Sequence, residues 1–244
     1  MLNNSPGNTL TSLLIDNSIA SQGVKGIPKD IDVISHTNPW LGYFLHGCTA
    51  FLINQKDDVF KFEVEEGMSD IAITAAHCIE TPSSRRKGFY YSEPSALVIS
   101  FGKHNITVKN EAHQIDVSIV KTICHWKFNQ LDQLEYDIAM LKLEKPVKFN
   151  QFVRPLALSQ FALNDVDDCF VSGWGGVKSL RMSHFNRSYL INDDMTRYKF
   201  ETFKHGSDKV SPGDSGSPLV TSWCREQATA CKTSWHYALA RPEI

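Results

Sequence analysis

Apolar residues along this chain fall in short runs of four to nine positions, with turn-forming residues between them. Runs of that length lack the rhythm of a long amphipathic helix. Strands are therefore predicted over Trp40–Phe44, Cys48–Ile53, Phe60–Val64, Ile71–Ala75, Ala96–Phe101, Ile115–Ile123, Ile138–Leu143, Cys169–Ser172 and Ser217–Thr221. β-Branched and aromatic residues dominate these segments, and Gly, Pro, Asn and Asp bound them. Within them, DVSIV and IAMLKL alternate by twos, the period of a half-buried strand. No amphipathic helix longer than three turns is predicted. The pattern points to an all-β sandwich or barrel rather than to βαβ units. Residues 1–26, polar and rich in Asn, Ser and Gly, read as a leader, and KPVKFNQFVRPLALSQ at 145–160 reads as a linker between an early and a late strand group.

Charge changes this picture little. Lys and Arg number 25 against 27 Asp and Glu, a net charge of −2, so neither a nucleic acid nor a membrane partner is expected. No apolar run approaches the length of a spanning helix. The six cysteines form no CxxC pair and no zinc-ribbon spacing, so no structural metal is expected. Their even number allows disulfides, which imply an oxidising compartment. The first twenty residues, however, carry neither the basic region nor the apolar stretch of a signal peptide.

Candidate chemistry sharpens the reading. Hydrolysis of an amide by a side chain requires an activated nucleophile, a base, and donors for the developing oxyanion. Three motifs supply these in the order His, Asp, Ser. In ITAAHCI, the small Ala75 and Ala76 allow close backbone packing and aim the His77 ring into a cleft. Cys78 follows directly, and a bridge to Cys48 in GCTAFLI would hold the strand that presents His77. Such a loop contributes roughly 3–4 kcal/mol. In YDIAMLKL, Asp137 is either a turn cap or the acceptor for the second ring N–H of His77. In SPGDSGSPLV, Gly213 and Gly216 flank Ser215 and permit a tight turn, in which the N–H groups of Gly213 and Ser215 converge on one oxygen. Asp214, between them, is placed to pair with a buried cation.

In that order, TAAHC, DIAML and GDSGSP resemble the trypsin/chymotrypsin-like serine peptidases. Pro39–Trp40, the SGWG of 172–175 after Cys169, and the stretch 100–129 extend the likeness over roughly 27–221. The resemblance implies two six-stranded antiparallel β-barrels with the active site in the cleft between them. It divides the chain into residues 1–26 and a peptidase domain at 27–244, with barrels at about 27–150 and 158–244. It implies a serine endopeptidase that forms an acyl-enzyme. His77 would be base then acid, Asp137 its orienting partner, Ser215 the nucleophile, and the Gly213 and Ser215 N–H groups the oxyanion hole. It further implies protein or peptide substrates, protein protease inhibitors as partners, no cofactor or metal, and a secreted, extracellular setting. Members of that family are activated by cleavage, a new Ile or Val amine pairing with the Asp before the Ser. Here that pair would be Ile27 and Asp214, with residues 1–26 as a propeptide, although Gly26 separates Lys25 from Ile27.

Several positions depart from the family pattern. Residues near 54–70 look like an acidic insertion, read as a solvated surface loop. Ser211 stands where the family has the cysteine that staples its specificity pocket. The stretch after Ser215 is short, so the second barrel is expected to be incomplete. The pocket residue six positions before the Ser is Lys209, or Asp208 with a one-residue gap; the first would favour acidic substrates, the second Arg or Lys. Ser234–Trp235 is similar to the family's pocket wall. Thr221 occupies the place of the usual partner of Cys169, leaving Cys224 as the nearest candidate and Cys124 and Cys231 unassigned. These departures support an alternative, a catalytically inactive homologue acting as a binding or regulatory module.

Overall fold

The computed structural model describes residues 31–32, 37–44, 47–54, 64–82, 89–91, 93–128, 136–158, 169–185, 187–191, 199–203, 211–221 and 235–236. Among them the only helical elements are two three-residue 3₁₀ turns, Ala76–Cys78 and Pro94–Ala96, and no helix is long and apolar enough to cross a membrane. The strands are β1 (Ile31–Asp32), β2 (Leu41–Phe44), β3 (Thr49–Leu52), β4 (Met68–Thr74), β5 (Glu80–Pro82), β6 (Phe89–Tyr91), β7 (Val98–Phe101) and β8 (Ile115–Cys124). They continue as β9 (Ala139–Lys148), β10 (Cys169–Gly173), β11 (Arg181–Phe185), β12 (Arg187–Ile191), β13 (Lys199–Phe203), β14 (Leu219–Thr221) and β15 (Trp235–His236).

Six of these close into a barrel in the order β2-β3-β4-β9-β8-β7. All its pairings are antiparallel, with β2 against β7 sealing the ring. Closure removes the unpaired edges that an open sheet would expose. Inward residues such as Phe44, Leu52, Ala72, Ile99, Phe101, Ile119 and Leu141 form one core cluster. Phe51, Ile53, Ile71 and Ile73 point the other way and join a second cluster with Trp174, Leu180 and Val220 from the later part of the chain. β3 is therefore buried on both faces, and so is β4 beyond its first residue. This explains why AFLI at 50–53 and IAI at 71–73 are continuously apolar, whereas β8, with one wet face, alternates.

In the later part, β1-β11-β10-β14-β15 form a five-stranded sheet and β12-β13 a separate two-stranded one. The two parts are also linked by hydrogen bonds. Trp174 Nε1 donates to the His104 carbonyl at 2.9 Å, and Leu180 N to the same oxygen at 2.8 Å. Ile106 N donates to Lys178 O at 2.8 Å.

Three local expectations change. The linker at 145–160 is not free-running: β9 continues to Lys148, and Leu156 bonds back to β3, its N–H donating to Leu52 O at 2.7 Å. Its apolar Val153 and Leu156 are buried, which ties the segment to the barrel. The acidic segment 54–70 ends inside β4 rather than in a solvated loop, where buried Asp70 pairs with Lys142 of β9. Residues 55–63, with most of the predicted Phe60–Val64 strand, lie outside the described residues. Finally, β11, β12 and β13 were not predicted, because RMSHFNRSYLI and KFETF mix polar and apolar positions without a clean period.

Candidate active site

The barrel pairing brings His77 and Asp137 together. β4 leaves the barrel at Thr74, and Ala75 and Ala76, both fully buried, allow the chain to tighten into the 3₁₀ turn that carries His77. β9 runs antiparallel to β4 with Thr74 opposite Ala139, so Asp137, just before β9, arrives beside that turn. Its carboxylate uses both oxygens on one residue. Oδ2 lies 2.6 Å from His77 Nδ1, and Oδ1 accepts the His77 backbone N–H at 2.8 Å. An ionised carboxylate can only accept, so Nδ1 is the donor in this pair, and in the neutral imidazole that leaves the lone pair on Nε2. The ring remains about a quarter exposed, at 26%. Cys78 is bridged to Cys48, as the sequence reading proposed, across a separation of 30 residues.

Ser215 lies in a turn built from 211–217. Asp214 N donates to Ser211 O at 2.9 Å and Ser217 N to Asp214 O at 3.0 Å. Gly213 and Gly216 have φ of +106° and +84°, values that side chains disfavour. This turn is pinned to the barrel by Thr49, the first residue of β3. Thr49 N donates to Ser215 O at 2.8 Å, and Thr49 Oγ1 donates to Gly213 O at 3.0 Å. Thr74 Oγ1 in turn donates to Thr49 O at 2.7 Å. A Cβ on Gly216 would overlap the Thr49 carbonyl and Thr74 Oγ1 and come within 3.1 Å of Ala75 N. The turn thus docks where β3 begins and β4 ends, the same end from which His77 departs. Ser215 Oγ makes no hydrogen bond to the His77 ring, and the N–H groups of Gly213 and Ser215 have no acceptor, among the described residues.

Asp214 is buried, at 3% exposure, and carries three donors. Gly175 N reaches Oδ1 at 2.8 Å, while Arg181 Nη2 and Ser211 N each reach Oδ2 at 2.9 Å. A Cβ on Gly175 would overlap that carboxylate, which is the steric reason for the second glycine of SGWG. The expected buried cation for Asp214 is therefore present and is Arg181.

Other expected residues are not tested by this geometry. Ile27, Asp208, Lys209, Ser234 and Cys224 lie outside the described residues, and only the backbone of Trp235 is described, opposite Val220. Thr221 sits opposite Cys169 in the β10–β14 ladder. The sequence reading overlooked Thr49, Thr74 and Arg181. A hydroxyl at the end of a buried apolar run was a usable signal for the threonines, since a buried hydroxyl needs a partner. Arg181 had no local signal. The sulfurs of Cys48 and Cys78 and a ring nitrogen of His77 lie within 4.8 Å of one another, but a disulfide has no thiolate to offer a metal.

An Asp-clamped His and a glycine-flanked Ser turn thus lie at one end of a closed antiparallel β-barrel, and comparison with known proteins names the family. The trypsin family model matches residues 68–242, well over half the chain, and the chain belongs to the trypsin family of serine peptidases. It is 29% identical to trypsin-1 of Astacus astacus over 86% of this chain and 85% of that protein. It is 27% identical to granzyme C of Mus musculus over 81% and 78%, and 24% identical to cathepsin G of Mus musculus over 77% and 69%.

Proposed function

We propose that the chain is a serine endopeptidase that cleaves protein or peptide substrates through an acyl-enzyme on Ser215. His77 Nε2 takes the Ser215 proton as the hydroxyl attacks the scissile carbonyl, then returns it to the leaving amine. Asp137 holds the tautomer that makes this possible and stabilises the imidazolium as it forms. The N–H groups of Gly213 and Ser215 donate to the oxyanion. In uncomplexed enzymes of this chemistry the contact between hydroxyl and imidazole is commonly long and closes on substrate.

The observation that carries the reading is the two-oxygen grip of Asp137 on His77, through ring and backbone at once. A turn cap would need only one. The reading includes a second barrel at about 158–244 closing the cleft, secretion, and susceptibility to protein protease inhibitors, with Lys209 or Asp208 and Ser234–Trp235 at the substrate pocket. The test is a fluorophosphonate probe. Covalent labelling at Ser215 that disappears in His77→Ala supports the peptidase. A folded chain that never labels favours the inactive regulatory homologue.

A further inference from the structure

We propose that Arg181 is a built-in counter-ion for Asp214, one that holds the Ser215 turn in its working shape before any N-terminal cleavage, so that the uncut chain already has a competent nucleophile. The inference rests on the reading of Ser215 as that nucleophile. It makes Arg181 a positioning residue, acting on the chemistry only through Asp214.

The argument begins with the cost of burying a carboxylate. An ionised Asp at 3% exposure is unfavourable unless paired and hydrogen-bonded. In the family scheme, the cation that meets this need is an amine that exists only after the chain is cut. Here the intact chain supplies a guanidinium, with Nη2 at 2.9 Å from Oδ2. Gly175 N and Ser211 N complete the set, so the carboxylate has donors on both oxygens without help from a new terminus. Asp214 also closes its own turn, since Oδ2 accepts from Ser211 N while Asp214 N donates to Ser211 O. Holding this carboxylate therefore holds the bend from Ser211 to Ser217, which orients the Gly213 and Ser215 N–H groups.

Arg181 is well placed to be a fixed cation. It opens β11, opposite Gly173 of β10 on one side and Asp32 of β1 on the other, and its side chain is 9% exposed. Its strand is thus held from both flanks, and the guanidinium reaches Asp214 from a rigid base. The pairing of Ile31 with Met182 shows that the stretch soon after Ile27 already lies in this sheet in the uncut chain. A guanidinium also differs from an α-amine in chemistry, because it keeps its charge in alkaline solution, where a free amine loses its own.

The experiment compares three forms of the full chain by fluorophosphonate inactivation kinetics. They are the uncut chain, made with Lys25→Gln and verified by intact mass; the chain cleaved between Gly26 and Ile27 at an introduced protease site; and uncut Arg181→Met. The uncut chain should label Ser215 within a few-fold of the cut chain, and it should still do so at about pH 10, where an α-amine is uncharged. Arg181→Met should lose roughly a hundred- to a thousandfold in labelling, the fold-change equivalent of an orphaned buried charge. That loss should fall on the maximal inactivation rate rather than on probe affinity. Arg181→Lys, which keeps the cation, should recover part of it and covers the case in which the Met variant does not fold. An inert uncut chain beside a reactive cut chain would overturn the role of Arg181 and leave the nucleophile intact. Two inert forms would overturn the nucleophile itself, and this inference with it.

Discussion

Gly216 offers a direct measure of how the Ser215 turn is docked. Replacing it by Ala has two costs. The first is backbone strain at φ +84°, about 1–2 kcal/mol for a residue with a Cβ. The second is collision with the Thr49 carbonyl and Thr74 Oγ1, neither of which is the far end of a flexible side chain. Overpacking of that kind costs about 1–3 kcal/mol, and losing the Thr49 N–H to Ser215 O bond adds about 0.5–1.5 kcal/mol. Together Gly216→Ala should destabilise by about 2.5–6.5 kcal/mol. Gly47 is the matched control, with φ +86° and nothing within 4 Å of a built Cβ. Gly47→Ala carries the strain alone, about 1–2 kcal/mol. Urea unfolding of both variants with the disulfide intact isolates the docking contribution as their difference. Equal losses for the two would refute the docking of the turn against β3 and β4. Probe labelling should follow the same order, since a displaced turn carries Ser215 with it.

Three further outcomes are expected. Asp137→Asn can no longer accept from both His77 N–H groups, and the amide favours the wrong ring tautomer; the maximal labelling rate should fall by about 10³- to 10⁴-fold with stability only modestly changed, as read by inactivation kinetics beside thermal melts. Removing the Cys48–Cys78 bridge by double Ala substitution should cost about 3.6 kcal/mol on the loop-entropy model for its separation of 30, measured by urea unfolding; a loss under 1 kcal/mol would contradict it. Lys103→Met should destabilise by about 2–4 kcal/mol in the same assay. That ammonium, 7% exposed, donates to Val108 O at 2.8 Å and Gln114 Oε1 at 2.6 Å and faces Glu111, which itself caps the His104 and Asn105 N–H groups.

The candidate site motifs were legible because each depends on local chemistry. Two small alanines before His77 and two glycines around Ser215 are demands that a tight turn makes on its own residues. The strands of the closed barrel were legible for the same reason, with boundaries moved by a few positions. β4 begins at Met68, three residues before the predicted start, and β9 runs five residues beyond its predicted end. In both cases partner strands, not the apolar run, set the length. The β4 extension includes a register shift between Ser69 and Ile71, beside a buried Asp70 paired with Lys142. An acidic residue at a strand's edge looks solvated until the strand that supplies its cation is known.

The amino-acid order alone therefore determined the strand-rich class and the resemblance to serine peptidases, and it offered His77, Asp137 and Ser215 as candidates from motifs a few positions long and Cys48–Cys78 as a bridge across 30 residues. Only the folded chain decided that Thr49 pins the Ser215 turn across 164 positions, and that Arg181 is the cation of Asp214. The reason is physical: a turn's geometry is encoded by the residues within it. The partner of a buried hydroxyl or carboxylate is whatever donor or acceptor the packing of distant strands carries within 3 Å or so of it.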